Sequence, residues 1–256
     1  MTPREQLAST RKELLSLEKE LADGLRSIND RRRAETVRLL HEIRSMLDPV
    51  SGYASQAGQD RIIDRIFKGK RGGTFVDVGG YDGLTGSNTL FFERARGWTG
   101  ILVEPVESFR KMAEAERLCP CLPYAVSKEE RQAAFMAVTS GFTQMSGLIE
   151  NYDPQLLSRV REDSRHKEEE ITVATRSLSS LLAEHNLENP DFISLDIEGG
   201  ELAVLADFPF AGHCVGAWAI ENNSATSELG KIMKANDYKL IEFCGPDEIY
   251  AHSSLV

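Results

Sequence analysis

The sequence predicts an α/β domain: a mostly parallel sheet of seven strands with helices on both faces, preceded by a helical segment over residues 1–48. Three observations predict it. Short apolar runs alternate with helix-period segments over most of the chain after Gly58. The first run, Phe75-Val76-Asp77-Val78, breaks into a glycine-rich turn, Gly79-Gly80-Tyr81-Asp82-Gly83. Upstream of Pro49 only helix signals occur.

Taken in order, Thr2-Pro3-Arg4-Glu5 is a capping box with proline at the first helical position. Leu7, Leu14, Leu21 and Ile28 repeat every seven residues, and Val37, Leu40, Ile43 and Leu47 resume out of phase. That pattern predicts one interrupted helix or a helical hairpin. Its narrow stripe fits a coiled-coil seam joining subunits, or packing on the chain's own body. Strands are expected at 74–78, 100–104, 122–126, 191–196, 215–221, 237–243 and 248–252, with a further pair at 133–139 and 170–175. Helices are expected near 58–67, 86–95, 106–117, 177–186, 200–206 and 225–235. The stretch from Ser140 to Glu170 breaks the rhythm. It reads as a substrate lid opening on Ser140-Gly141-Phe142, or, over 158–170, as a disordered insertion.

Composition narrows the function. The chain has 256 residues and a net charge of −10. Residues 1–48 carry ten Lys/Arg against nine Asp/Glu, so the remainder holds −11. An acidic body disfavours nucleic acid, whose phosphates call for clustered cations. No apolar run approaches the roughly 20 residues of a membrane span, and the charged N-terminus has no signal-peptide core; a cytoplasmic protein is expected. The four cysteines are too few and too scattered for a disulfide framework.

The glycine turn carries the chemistry. Glu104 stands 21 residues after Gly83, at the end of the run Ile101-Leu102-Val103. A glycine turn lets backbone approach a ligand, and an acid at that distance can hold two ribose hydroxyls, so the pair points to a nucleoside cofactor. The dinucleotide fingerprint G-x-G-x-x-G is broken by Tyr81; what stands is Asp77-x-Gly79-x-x-x-Gly83. This resembles the first motif of class I methyltransferases, which bind S-adenosylmethionine (SAM). Further segments follow: Ser55-Gln56-Ala57-Gly58-Gln59-Asp60, Gly86-Ser87-Asn88-Thr89, Gly97-Trp98-Thr99-Gly100, Glu104-Pro105, Ala125-Val126-Ser127, Asp196-Ile197-Glu198-Gly199-Gly200-Glu201, Glu221-Asn222-Asn223 and Gly245-Pro246-Asp247-Glu248. In this order they resemble the FkbM family of SAM-dependent methyltransferases over roughly residues 53–253. The resemblance implies a Rossmann-like fold and O-methylation of a hydroxyl, on a sugar, polysaccharide or natural product. Many members carry lysine two residues before the fourth-strand acid; here Ser194 stands there.

Strand-end positions supply the candidate residues. Asp77, Gly79, Tyr81, Asp82, Gly83, Asn88, Glu104, Pro105, Ala125, Ser127 and Asp196 are expected around the cofactor, with Glu104 on the ribose and Ala125 and Ser127 beside adenine. Methylating an alcohol needs a base or a metal to activate the hydroxyl. Asp196, Glu198 and Glu221 are the candidate catalytic acids. Asp196, Glu221 and Asn222 resemble the metal site of catechol O-methyltransferase, which would suit Mg²⁺ or another divalent cation. The five histidines are expected on surface helices, in loops or packed in a strand. Two rival readings stand: an NAD-dependent oxidoreductase, and a non-catalytic oligomeric binding module working through residues 1–48.

Overall fold

The computed structural model describes residues 1–152 and 154–256, the side chains of 154–156 excepted. The chain opens with α1 (Pro3–Gly24). The Thr2 hydroxyl accepts from the Glu5 N–H, and the Glu5 carboxylate accepts from the Thr2 N–H at 2.7 Å, closing the reciprocal cap. A 3₁₀ turn at Leu25–Ser27 and the residues after it reverse the chain into α2 (Arg33–Leu47), so the segment is a hairpin. α1 buries no residue; Leu7 is 72% exposed, while Leu14, Leu21 and Ile28 are half-buried. α2 behaves differently. Its Ala34, Val37, Leu40, His41 and Ile43 are buried, and Val37 joins a core cluster with Phe75, Phe92 and Phe192. The division at Pro49 therefore does not separate α2 from the sheet. His41, expected on a surface helix, packs against Gly58.

The body follows as α3 (Gln59–Ile66), β1 (Thr74–Val78), β2 (Thr99–Val103), α4 (Glu107–Glu116), β3 (Cys121–Leu122), β4 (Tyr124–Val126), β5 (Gln132–Ser140), β6 (Gly147–Leu148), α5 (Pro154–Glu162), β7 (Lys167–Arg176), α6 (Leu178–Glu184), β8 (Phe192–Leu195), α7 (Glu201–Asp207), β9 (Ala217–Glu221), α8 (Ser227–Ala235), β10 (Tyr238–Cys244) and β11 (Asp247–His252). The main sheet has the order β10-β11-β9-β8-β1-β2-β3. Its β9, β8, β1, β2 and β3 are parallel, and β11 is antiparallel to both its neighbours. Strand order reverses between β1 and β8, so the crevice for a ligand lies beyond their carboxyl ends. Side chains alternate across the sheet. Val76 and Val78 join the core with Leu181 and Leu205 on one face, and Phe75 packs with Ile63 and Trp98 on the other.

A second sheet has the order β4-β7-β5-β6. The strand expected at 122–126 is split at Pro123, which has no N–H for a ladder: β3 stays in the main sheet and β4 pairs with β7. The expected pair at 133–139 and 170–175 is β5 and β7, antiparallel from Gln132↔Ala174 to Ser140↔Lys167. The residues between them fold into β6 and α5, so 158–170 is ordered structure, not a disordered insertion. The helix expected at 86–95 shrinks to a π turn at Phe92–Arg96. The Ser87 hydroxyl accepts from the Thr89 and Leu90 N–H groups, and such local bonds compete with the helix over its expected first turn. No helix among the described residues is long and apolar enough to cross a membrane.

Candidate active site

Two adjoining cavities open at the carboxyl ends of β1 and β8. They share Gly79, Tyr81, Gln144 and Asp196. The narrower one is lined by Tyr81, Glu104, Pro105, Phe109, Ala125 and Phe135. The larger, of about 270 Å³, is lined by Asn88, Ser194, Asp196, Glu198, Glu221 and Asp247, among others.

The glycine turn builds the boundary between them. Gly79 has φ +79°, and a Cβ there would lie 1.7 Å from the Asp196 carbonyl oxygen. The β1 and β8 ends thus meet only because Gly79 has no side chain. Tyr81, itself left-handed at φ +48°, donates its N–H to Glu104 Oε2 at 3.1 Å and pairs its hydroxyl with Thr143 at 2.7 Å. The Val106 N–H reaches Glu104 Oε1 at 2.8 Å. Burial pushes Glu104 up to about 8, against these two bonds. The Glu104 side chain is buried between the turn and the apolar wall of Phe109 and Ala125.

Asp77 lines the larger cavity but its carboxylate is already engaged. It accepts from Thr89 at 2.5 Å, from Ser87 at 3.2 Å and from Arg117 at 3.4 Å. Arg117, fully buried, also bonds Glu93 at 3.0 Å and the Gly83 carbonyl at 3.3 Å. This network pins the glycine turn from behind, a positioning role for Asp77. Asp82 accepts from the Leu84 and Thr85 N–H groups at 2.9 and 2.7 Å and closes that turn; it lines neither cavity. Gly83 is at φ +74°, where a Cβ would meet Arg117. Ser127 lines neither cavity: its N–H donates to the Arg176 carbonyl at 3.0 Å at the edge of the second sheet, and it lines other surface hollows.

The acids gather in the larger cavity. Asp196, Glu198 and Glu221 each offer an oxygen within 4.8 Å of the others. Asp196 and Glu198 are two apart after β8, Glu221 ends β9, and Asp247 opens β11 directly opposite Glu221. Glu198 holds φ +58°, a strained backbone that functional sites retain. Glu201 fixes that turn by accepting from the Ile197 and Gly199 N–H groups at 2.9 and 3.1 Å. Burial, then mutual repulsion, raises Asp196, Glu198 and Glu221 well above the carboxylate range. Burial pushes Asp247 up to about 6 despite bonds from Gln59 at 3.0 Å and Asn88 at 3.5 Å. Asn88 also donates to Ser194 at 3.0 Å.

Asn222 does not join them. Its amide donates to Thr226 and Glu248 at 3.0 and 2.7 Å and accepts from the Thr226 N–H at 3.0 Å. Neighbours along a strand point to opposite faces, so with Glu221 turned into the cavity Asn222 is turned out. Glu198 takes its place in the cluster. Asp247, Gln59, Gln144 and Asn223 are the cavity residues that the strand-end reading left out of the site.

This sheet order, with its glycine turn and acid-tipped second strand, defines a Rossmann-like class I methyltransferase fold. A model described as the methyltransferase FkbM domain matches residues 77–240. The chain belongs to the FkbM methyltransferase family. Among solved structures, a methyltransferase FkbM from Methylobacillus flagellatus KT is 13% identical, with a TM-score of 0.46 over 93% of this chain and 58% of that one. A methyltransferase from Pyrococcus furiosus is 13% identical, with a TM-score of 0.40 over 86% of this chain and 98% of that one. No curated protein matches the chain.

Proposed function

We propose that the protein transfers a methyl group from SAM to a hydroxyl of an acceptor, most simply a sugar. The observation that carries the reading is the two-part cavity: an apolar slot closed by Glu104, joined across Gly79 to a chamber lined by carboxylates. SAM is the usual donor in a methyltransferase family and supplies a sulfonium-bound methyl with a thioether leaving group. Glu104 accepts the ribose hydroxyls, Phe109 and Ala125 face the adenine, and the polar rim of Gln59, Asn88, Gln144 and Asn223 orients the acceptor hydroxyls. As the new O–C bond forms and the S–C bond breaks, the hydroxyl proton passes to a carboxylate of the cluster, Glu198 or Glu221. Residues 142–146 stand over both cavities, tied by Tyr81–Thr143 and by the Tyr152 hydroxyl donating to the Met145 carbonyl at 2.6 Å, and keep water from the transfer. Family membership weighs against the oxidoreductase and the non-catalytic module.

A second reading, favoured by the clustering of Asp196, Glu198 and Glu221, replaces the general base with a divalent cation on these carboxylates, which would lower the pKa of the acceptor hydroxyl. The acidic chamber disfavours nucleic acid as acceptor. Four free cysteines suit a reducing, cytoplasmic setting. Calorimetry with SAM and with NAD, then methyl-labelled SAM against a panel of neutral glycans and small polyols, tests the reading. SAM binding and label on an acceptor oxygen are expected. Binding of NAD in place of SAM, or label found only on nitrogen, would overturn it.

A further inference from the structure

We propose that Asp196, Glu198 and Glu221 form a binding site for one hard divalent cation, Mg²⁺ or Mn²⁺, that assembles without the methyl donor. The proposal rests on the methyl-transfer reading only for what the cation does there, which is to hold the acceptor hydroxyl.

The donor set is the first argument. All three groups are carboxylates, the ligands that hard cations take. Their nearest oxygens lie within 4.8 Å of one another. Around an octahedral ion with bonds of about 2.1 Å, ligand oxygens are separated by about 3 Å when adjacent and about 4.2 Å when opposite. At most one of the three pairs can stand opposite, so from separations of up to 4.8 Å the adjacent pairs close by at most about 1.8 Å, a movement that rotation of the glutamate side chains can supply.

The second argument is independent of the clustering. Glu198 and Glu221 are 4% and 7% exposed, and the Oε2 atom of each has no hydrogen-bond partner. A buried polar atom without a partner costs about 1–3 kcal/mol, more when charged. Other acids of the region are provided for: Asp77 by two hydroxyls and Arg117, Glu201 by backbone N–H groups, Asp247 by Gln59 and Asn88. The two glutamates are left open in the same place.

Charge gives the third. Among the described residues, no lysine, arginine or histidine lines the chamber. Arg31, bonded to Glu248 at 2.7 Å and to the Asn222 and Pro246 carbonyls, stands behind the cluster and spends its guanidinium on these groups. A cation from solution supplies what the chain withholds. The competing occupant is the donor's own ammonium group, and it is an outcome of the test.

The test is titration of Mn²⁺ into the full-length, SAM-free protein, read by the loss of the free Mn²⁺ electron paramagnetic resonance signal. One saturable Mn²⁺ per chain, displaced by Mg²⁺, is expected. Glu198→Gln and Glu221→Gln should each weaken it at least tenfold while SAM affinity, measured by calorimetry, stays within threefold. That retained SAM binding also certifies the fold of the variants. No saturable Mn²⁺ binding to the parent protein overturns the site, and so do variants that bind Mn²⁺ like the parent. If the variants lose SAM rather than Mn²⁺, the cluster holds the donor's ammonium and the cation site is wrong. Failure of SAM to bind the parent protein would instead sink the methyl-transfer reading and leave the Mn²⁺ result standing.

Discussion

Replacing Glu104 with alanine removes both acceptors expected for the donor's ribose. Each charge-assisted hydrogen bond contributes about 1.5–3 kcal/mol. The gain is reduced by the state of the empty site. Burial holds Glu104 up to about 8, so at pH 7 only about a tenth of the molecules carry the carboxylate, and ionising the rest costs about 1.4 kcal/mol. The net loss for the alanine variant is about 2–5 kcal/mol, or roughly thirty- to several-thousand-fold in dissociation constant. The same arithmetic fixes a pH dependence. The ionised form binds, so affinity of the parent for SAM should improve about tenfold from pH 7 to pH 9 and level off above the Glu104 transition. Calorimetry at pH 7 and 9 measures both effects. An alanine variant within threefold of the parent, or a parent affinity flat across that range, would refute the assignment of Glu104 to the ribose.

Other outcomes follow from the same geometry. Deleting residues 1–24 should leave a folded, SAM-binding protein of smaller oligomeric state, because α1 buries nothing of its own and its seven-residue stripe is proposed to join a second copy; light scattering giving one molar mass per chain for both forms would remove that role. Deleting 1–48 instead strips Val37, Leu40 and Ile43 from the core and should yield an aggregating protein. Arg31→Ala should lower stability by about 2 kcal/mol and turnover with it, as the clamp on the Glu221–Asn222 and Pro246–Glu248 turns is lost; an unchanged urea midpoint would count against it. Gly79→Ala should cost more than about 3 kcal/mol, since the added carbon would stand 1.7 Å from the Asp196 carbonyl oxygen, and a melting temperature within about 2 °C of the parent would be incompatible with that contact. Stability of the ligand-free protein should fall as pH rises from about 5 to 8: Asp247 goes from 3.8 unfolded to about 6 folded and Glu104 from 4.5 to about 8, so over that window the folded state binds more protons and loses that advantage as they leave. Calorimetric melts at both pH values decide it.

The sheet was legible because its strands are buried on both faces and therefore read as continuous apolar runs. Where the structure departs from that reading, a local feature intervened. Pro123 cut one expected strand into pieces of two sheets, and the Ser87 cap shortened the helix after the glycine turn. The hairpin at the N-terminus was visible as two apolar stripes, but only packing shows that the second stripe belongs to the core. Nothing in the period of Val37, Leu40 and Ile43 says which surface covers them.

The cavity was legible at the ends of β2, β8 and β9 in the main sheet, and obscure where the strand-end rule does not apply. Glu104, Asp196 and Glu221 all close parallel strands and all reach the cavities. Asp247 begins a strand, and it reaches the same chamber because β11 runs antiparallel, which brings its first residue beside the last of β9. The structure turns Asn222 toward Thr226 and Glu248 and lines the chamber with Glu198. Adjacent residues of a strand face opposite ways, so the residue after Glu221 turns away from it, whereas Glu198 reaches the chamber from the turn after β8, with its backbone left-handed at φ +58°. The turn after β8 and the end of β9 bring the acidic cluster together, and the acid–amide dipeptide serves different ends: Glu221 lines the cavity, and Asn222 ties the strand end to Glu248 and, through Glu248, to Arg31 on the helical arm. The arm lies outside the family match, yet through Arg31 it bears on the backbone that carries Glu221. The acids of the chamber are thus held in place by a part of the chain that the motifs of the methyltransferase do not include.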